Sequence, residues 1–312
     1  MSQNKIVEVA AAVLQRADGS FLLAQRPVDK IWAGYWEFPG GKLEQCESAH
    51  DALVRELREE LGITVHTAYP WLMRVFNYPH ATVQLHFFRV AAWAGELHPH
   101  EGQQFSWQLP THVKVEPILP ANAPILRALE LPIMYAISNV AELGEEAFLA
   151  RLQIKLDAGL RLIQLREKHL ARDELKELAQ RVVSMSHACG AKVLLNGDVA
   201  LAQEIGADGV QLTSSQLAEL SERPDVGWCG ASCHNAEELR RAEALGCDLA
   251  LLSPILPTRT HLGAPHLGWE SFAAMTSGSS IPVYALGGLT EDDMSVAWQC
   301  GAHGIALLRQ AW

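Results

Sequence analysis

Residues 41–63 read GKLEQCESAHDALVRELREELGI. Ala49, Leu53, Leu57 and Leu61 recur every four residues, the spacing of one buried helical face. Ser48 stands where a capping side chain is needed and Gly62 where a left-handed residue ends a helix, so the pattern predicts a helix over residues 48–61. Arg55, Glu56, Glu59 and Glu60 then fall three and four residues apart, so the three acids share a wedge of roughly 100° beside the apolar stripe. Such a cluster can be only a solvated acidic face. Yet like charges about 4 Å apart repel by about 4 kcal/mol near a protein surface, so three carboxylates in one wedge call for a proton or a cation. Oxygen donors without interleaved His or Cys favour Mg²⁺ or Mn²⁺ over zinc, and Mg²⁺ leaves positions open to phosphate oxygens. Glu47 and Arg55, about two turns apart, read as an ion pair that positions the preceding loop.

Gly41, Glu47, Arg55, Glu56, Leu57, Glu59, Glu60, Gly62 and Ile63 satisfy the pattern G-x5-E-x7-R-E-U-x-E-E-x-G-U. The stretch resembles the Nudix box, and with Trp36-Glu37-Phe38-Pro39-Gly40-Gly41-Lys42 ahead of it, residues 4–131 resemble the MutT branch of that family, the 8-oxo-dGTP diphosphatases. The resemblance implies an α/β/α sandwich with a mixed sheet. It implies that the Gly40 carbonyl, Glu56, Glu59 and Glu60 hold Mg²⁺ (or Mn²⁺), with Glu101 a further ligand or general base; either Glu56 or Glu101 would take the proton from the attacking water. Arg26 would meet the sugar and phosphate side of the nucleotide and Asn122 the oxidised base, since one amide both donates and accepts on a purine edge. Phe38 and Tyr78 would wall the base. Arg26 can also be a surface charge, Asn122 a turn residue and Phe38 core. A nucleoside triphosphate would leave as monophosphate and pyrophosphate.

At 312 residues the chain is long enough for two cores. No run has the length of a membrane span, and the polar start has no signal-peptide profile. Six cysteines without C-x-x-C pairs suit reduced thiols, and a cytoplasmic location is expected. A formal net charge of −11 opposes general binding to nucleic-acid backbones.

Pro117, Pro120, Pro124 and Pro132 punctuate a short helical stretch and read as a hinge, which sets domains of 1–131 and 132–312. Beyond it, eight short apolar runs alternate with amphipathic segments: 133–138, 162–166, 193–196, 209–212, 230–233, 249–253, 282–287 and 304–308. Runs without alternation suit strands covered on both faces, so a compact (β/α)8 TIM barrel is expected. Polar residues closing such strands are the ones to inspect. Gln164, Arg166 and Lys168, spaced by two, share one face and suit an anion; Gly287-Gly288 offers exposed amides; His234 ends the fifth run and can move a proton or be satisfied core.

Gln164-Leu165-Arg166-Glu167-Lys168, Gly230-Ala231-Ser232-Cys233-His234-Asn235, residues 254–260 and Ala285-Leu286-Gly287-Gly288 resemble the thiamine-phosphate synthase and TenI-like thiazole tautomerase family. By that likeness Gln164, Arg166, Lys168, Asn196, Thr258, Thr260 and Gly288 line a site for a pyrimidine pyrophosphate and a thiazole phosphate, or for another thiamine precursor. The chain departs from the synthase pattern in four places. Gly197 follows Asn196, with Asp198 one place later; no acid lies in residues 209–216; His261 stands for a lysine and Arg309 for a serine. Without two carboxylates a Mg²⁺–pyrophosphate site is poorly supported, which leaves tautomerase, ligand-binding module and synthase as readings. The fusion also permits another arrangement, in which the first domain hydrolyses thiamine-related pyrophosphates and the barrel acts as its sensor.

Overall fold

The computed structural model describes residues 6–79, 81–100, 102–258 and 265–312. The chain divides into two compact units, Met1–Glu130 with Gly278–Ser280 and Leu131–Ser277 with Ile281–Trp312.

In the first unit, β1 (Ile6–Leu14), β2 (Phe21–Gln25), β3 (Trp36–Glu37) and β4 (Gly40–Lys42) precede helix α1 (Ala49–Leu61), followed by β5 (Thr64–Tyr78), β6 (Ala81–Ala94), β7 (Phe105–Gln108) and helix α2 (Ala123–Leu129). One sheet runs β4-β1-β6-β5 and the other β3-β2-β7. β1 is parallel to β6 and antiparallel to β4, so the larger sheet is mixed. Because a strand turns alternate side chains to opposite faces, β1 serves two cores. Ala10, Ala12 and Leu14 pack with Leu53, Leu57 and Leu61 of α1; Ala11 and Val13 pack with Phe21, Leu23 and the α2 residues Ile125, Ala128 and Leu129. The layers are helix, sheets, helix.

Helix α1 begins and ends where its sequence signals place it. The Ser48 hydroxyl accepts from the Asp51 amide at 3.1 Å, and Gly62 closes the helix at φ 71°. The proline-punctuated segment behaves differently from a hinge. Trp36 N donates to Pro117 O and Leu119 N to Trp36 O, and α2 is buried in the first unit's core. Prolines there shape a tightly packed crossing, because apolar burial outweighs the flexibility that local composition suggests.

The second unit is a closed, all-parallel barrel of β8 (Met134–Ile137), β9 (Leu162–Leu165), β10 (Lys192–Asn196), β11 (Gly209–Leu212), β12 (Trp228–Cys233), β13 (Leu249–Leu252), β14 (Val283–Leu286) and β15 (Gly304–Leu307). Helices between the strands cover it, their apolar faces against outward residues such as Ile163, Val193 and Val210. Tyr135, Leu194, Leu251 and Tyr284 fill the interior. Gly230 has a steric reason to be glycine, since a Cβ there would overlap the Gln211 amide. That buried amide accepts from the Tyr135 hydroxyl and donates to Ser232 Oγ, both at 3.2 Å. No helix among the described residues is long and apolar enough to cross a membrane.

Candidate functional sites

In the first unit, β1, β3, β4, β6, α1 and the loop after β2 surround a cavity of about 640 Å³. Gly40 and Gly41 form its rim, and the backbone packed over Gly40 leaves room there for glycine alone. A Cβ on Gly40 would overlap the Ala10 carbonyl, and one on Gly41 would overlap the Glu56 carboxylate. The Glu56 carboxylate therefore occupies the space where a Gly41 side chain would begin. Glu60 reaches the same rim, its Oε2 accepting from the Gly40 amide at 3.3 Å. Glu56 and Glu60 are four residues apart, close to one helical turn, and both line the cavity. Glu59 lies about 100° round the helix from Glu60 and is not in the cavity wall; its side chain is 61% exposed and accepts from Arg55 Nη1 at 3.2 Å.

Arg55 organises this end of the helix. It donates to both carboxylate oxygens of Glu47 at 2.9 Å, to Glu56 Oε1 at 2.9 Å and to the Lys42 carbonyl at 3.0 Å. Those bonds hold the guanidinium charged beyond its ordinary range, Glu47 contributing most. Among the described residues no three His, Cys, Asp or Glu side chains form a ready cation cage. The donors nevertheless suit a hard divalent ion, because they are oxygen only and the Glu56 carboxylate occupies a cradle that any Cβ would fill. Glu101, expected as a further ligand or base, lies outside the described residues.

The Glu47–Arg55 pair gives a pH prediction. Arg55 first, then the Glu44 amide, holds the Glu47 carboxyl below its usual range. A lowered folded-state pKa means stability that is present above the unfolded value and lost as pH falls through the folded one. Urea unfolding of the protein between pH 6 and pH 3 should show the first unit weakening below the ordinary carboxylate range, and Glu47→Gln should flatten that dependence.

Four further residues line the cavity where expected: Arg26, Phe38, Tyr78 and Asn122. Phe38 is mostly core, its ring 5.7 Å from those of Phe21 and Phe87. Arg26 is engaged within the protein, donating from Nη1 to Glu37 Oε1 at 2.5 Å and from Nε to the Ile31 carbonyl at 2.8 Å. Burial pushes the Glu37 carboxyl up while Arg26 pulls it down. Glu37 and Trp32, also in the wall, were not among the residues expected there; the W-E-F-P-G-G-K string contained the first, and nothing local marked the second. Asn122 is 3% exposed, and its Nδ2 has no hydrogen-bond partner among the described residues.

At the carboxyl ends of the barrel strands lies a cavity of about 550 Å³. It brings together Gln164, Arg166, Lys168, Asn196, His234, Thr258 and Gly288; Thr260 lies outside the described residues. Gln164 Nε2 donates to Asn196 Oδ1 at 3.0 Å, while its buried Oε1 lacks a partner among the described residues. The alternation seen at Arg166 and Lys168 continues through Glu167, which turns inward and accepts from Ser138 Oγ at 2.5 Å and Val140 N at 2.9 Å. Glu167 thereby fixes the loop that presents the two cations.

Thr213, Ser214, Ser232 and Arg309 also line this cavity. Arg309 is tied to Glu142, donating from Nε at 2.8 and 3.0 Å. His234 faces in, with Nδ1 2.9 Å from the Ser253 carbonyl. A carbonyl only accepts, so Nδ1 carries the proton and Nε2 of a neutral ring keeps its lone pair. Among the described lining residues there is no aspartate or glutamate. Asp198 caps the following helix, accepting from Leu201 N at 2.8 Å, and pairs with Arg172 at 2.7 Å. The residues present do not fit a Mg²⁺–pyrophosphate group.

An acidic helix over a glycine rim in one unit, and in the other a cationic cavity at the mouth of a parallel barrel with no acid among its described lining residues, define a two-unit α/β protein. The family described as thiamine monophosphate synthase matches residues 134–311 and the NUDIX domain family residues 10–128, and the chain belongs to both. Residues of the first unit are 43% identical over 124 residues to the CTP pyrophosphohydrolase of Escherichia coli, covering 40% of this chain and 91% of that protein. The second unit is 37% identical over 180 residues to an Aquifex aeolicus protein provisionally named thiamine-phosphate synthase 2, covering 57% and 96%. It is 32% identical over 178 residues to the thiamine-phosphate synthase of Herpetosiphon aurantiacus, covering 56% and 86%. The first unit is accordingly a pyrophosphohydrolase-type domain for phosphorus anhydrides, fused to a thiamine-phosphate-synthase-like barrel.

Proposed function

We propose that the first unit is a Mg²⁺-dependent nucleoside triphosphate pyrophosphohydrolase that releases a monophosphate and pyrophosphate and accepts 8-oxo-dGTP. The observation that carries this reading is the unpaired, buried Nδ2 of Asn122 in the wall of a cavity whose rim holds Glu56 and Glu60. An unsatisfied buried donor costs about 1–3 kcal/mol, a cost that an acceptor atom of a bound base removes. Glu56, Glu60 and the Gly40 carbonyl would hold the cation, with Glu59 and Glu101 as candidates to join them. The bound cation would neutralise phosphate charge and acidify water. Glu56 or Glu101 takes the water's proton, while Arg55 orients Glu56 and the bare backbone of Gly41 gives that carboxylate its place.

The similarity to a CTP pyrophosphohydrolase favours a second base, cytosine. Turnover of 8-oxo-dGTP, dGTP, CTP and thiamine diphosphate by the intact chain with Mg²⁺ separates these readings. Asn122→Ala is expected to reduce the discrimination between the preferred base and its nearest analogue by about tenfold or more, on the order of one hydrogen bond left unmade. An unchanged 8-oxo-dGTP over dGTP ratio would remove Asn122 from base reading.

For the barrel we propose binding of a thiazole phosphate or related thiamine precursor, with proton transfer by His234. Arg166 and Lys168 supply positive charge and Gly288 a bare backbone, so a phosphate monoester needs no metal there. Nε2 of His234 takes a proton from one ligand atom and returns it to another, a tautomerisation with no net change in the residue. The acid-free lining is what favours this over the synthase reaction.

A further inference from the structure

The loop between β2 and β3 carries a feature that the hydrolytic machinery does not use. Its neck is closed by backbone bonds from Arg26 N to Tyr35 O at 2.8 Å and from Gly34 N to Arg26 O at 3.0 Å. Inside it, Arg26 Nε holds the Ile31 carbonyl at 2.8 Å. The next residue, Trp32, adopts φ 65°, a left-handed conformation that bulky side chains rarely take and that persists only where the surroundings impose it. Its ring packs edge-on against Tyr35 at 5.0 Å and obliquely against Tyr78 at 6.0 Å. Trp32 and Tyr78 both face the cavity that holds Asn122.

The indole Nε1 is buried and has no hydrogen-bond partner among the described residues. An indole N–H only donates, and this one belongs to a residue of the cavity wall, so an acceptor that arrives with a ligand can satisfy it. Asn122 Nδ2 presents the same need from another side of the same cavity. Two unpaired donors of independent origin, one from a strained loop and one from the turn before α2, thus belong to residues of one cavity wall. No other buried side-chain nitrogen lining that cavity is left without a partner among the described residues.

Resting on the nucleotide reading above, we propose that Trp32 is a specificity-determining residue: its indole N–H and the Asn122 amide N–H together select a base that offers two hydrogen-bond acceptors. Cytosine, with O2 and N3, and an oxopurine, with its carbonyl oxygens, meet that requirement. Arg26 then acts as a positioning residue that holds the loop presenting Trp32.

The test deletes the N–H while keeping the ring. Trp32→Phe, and replacement of Trp32 by 3-benzothienylalanine, which puts sulfur in place of the N–H in the same outline, are compared with the parent protein on CTP, 8-oxo-dGTP and ribose 5-triphosphate, which carries the same phosphates and no base. The expected result is a loss of kcat/KM on the preferred nucleotide about tenfold greater than on ribose 5-triphosphate, the same for both variants. Equal losses on all three substrates, or no loss on any, overturn the role of the N–H while the hydrolase reading stands. A parent protein that hydrolyses thiamine diphosphate and no nucleoside triphosphate overturns the nucleotide reading and this inference with it.

Discussion

Glu56→Gln is expected to lower kcat for nucleoside triphosphate hydrolysis by about 10³-fold, within the range for loss of a positioned acid–base or charge-stabilising group. The side chain lies on the bare backbone of Gly41 and lines the cavity, where a carboxylate brings negative charge to a cation and can accept a proton, and an amide brings neither the charge nor the basicity. Glutamine keeps an oxygen for Arg55, which donates to Glu56 Oε1 at 2.9 Å, so the unfolding midpoint should stay within a few degrees of the parent's, about what 1 kcal/mol would shift. Chelation of divalent cations should abolish the activity of the parent to a similar extent, with recovery on adding Mg²⁺. Single-turnover hydrolysis followed by chromatography of the monophosphate reads both arms. Hydrolysis persisting in chelator would show that the acidic helix is a solvated face.

His234→Ala is expected to slow interconversion of thiazole-phosphate tautomers by about 10²- to 10⁴-fold, the usual worth of a general acid–base group. Phosphate affinity should change little, because the phosphate-binding charge comes from Arg166 and Lys168, three strands away in the barrel order from the strand that ends at His234. Proton NMR of the interconverting isomers, with calorimetric titration of the phosphate ligand, separates the two effects. Loss of binding without loss of a measurable exchange rate would make His234 a structural residue held by Ser253. Coupling of a pyrimidine pyrophosphate by the parent would return the barrel to the synthase reading despite its acid-free wall.

Different parts of this protein were legible to different degrees. Helix α1 was readable to its caps, because its burial period, its Ser48 cap and its Gly62 stop are all local. The eight barrel strands were readable from apolar runs and their spacing, and the residues closing those runs converge because every parallel strand ends on the same face. The same spacing argument was blind to what lies between motifs. Arg26 could be seen as a cation, but its bond to Glu37 depends on two strands pairing across a loop. Glu167 could be seen between two cations, but its task of anchoring Ser138 and Val140 spans nearly thirty residues of chain. The prolines from 117 onward carried a turn signal that apolar packing of α2 overrode.

The amino-acid sequence alone determined the two-unit organisation, the acidic helix and the ring of strand-end polar groups. These rest on short-range periodicity and on residue types whose chemistry does not depend on neighbours. Only the tertiary structure decided which carboxylates reach the cavity, that Asp198 is spent on a helix cap, and that Trp32 and Asn122, each with an unpaired buried N–H, share one cavity wall. Those outcomes turn on distances between residues far apart in the chain, and such distances are set by packing of the whole unit, which no local pattern encodes.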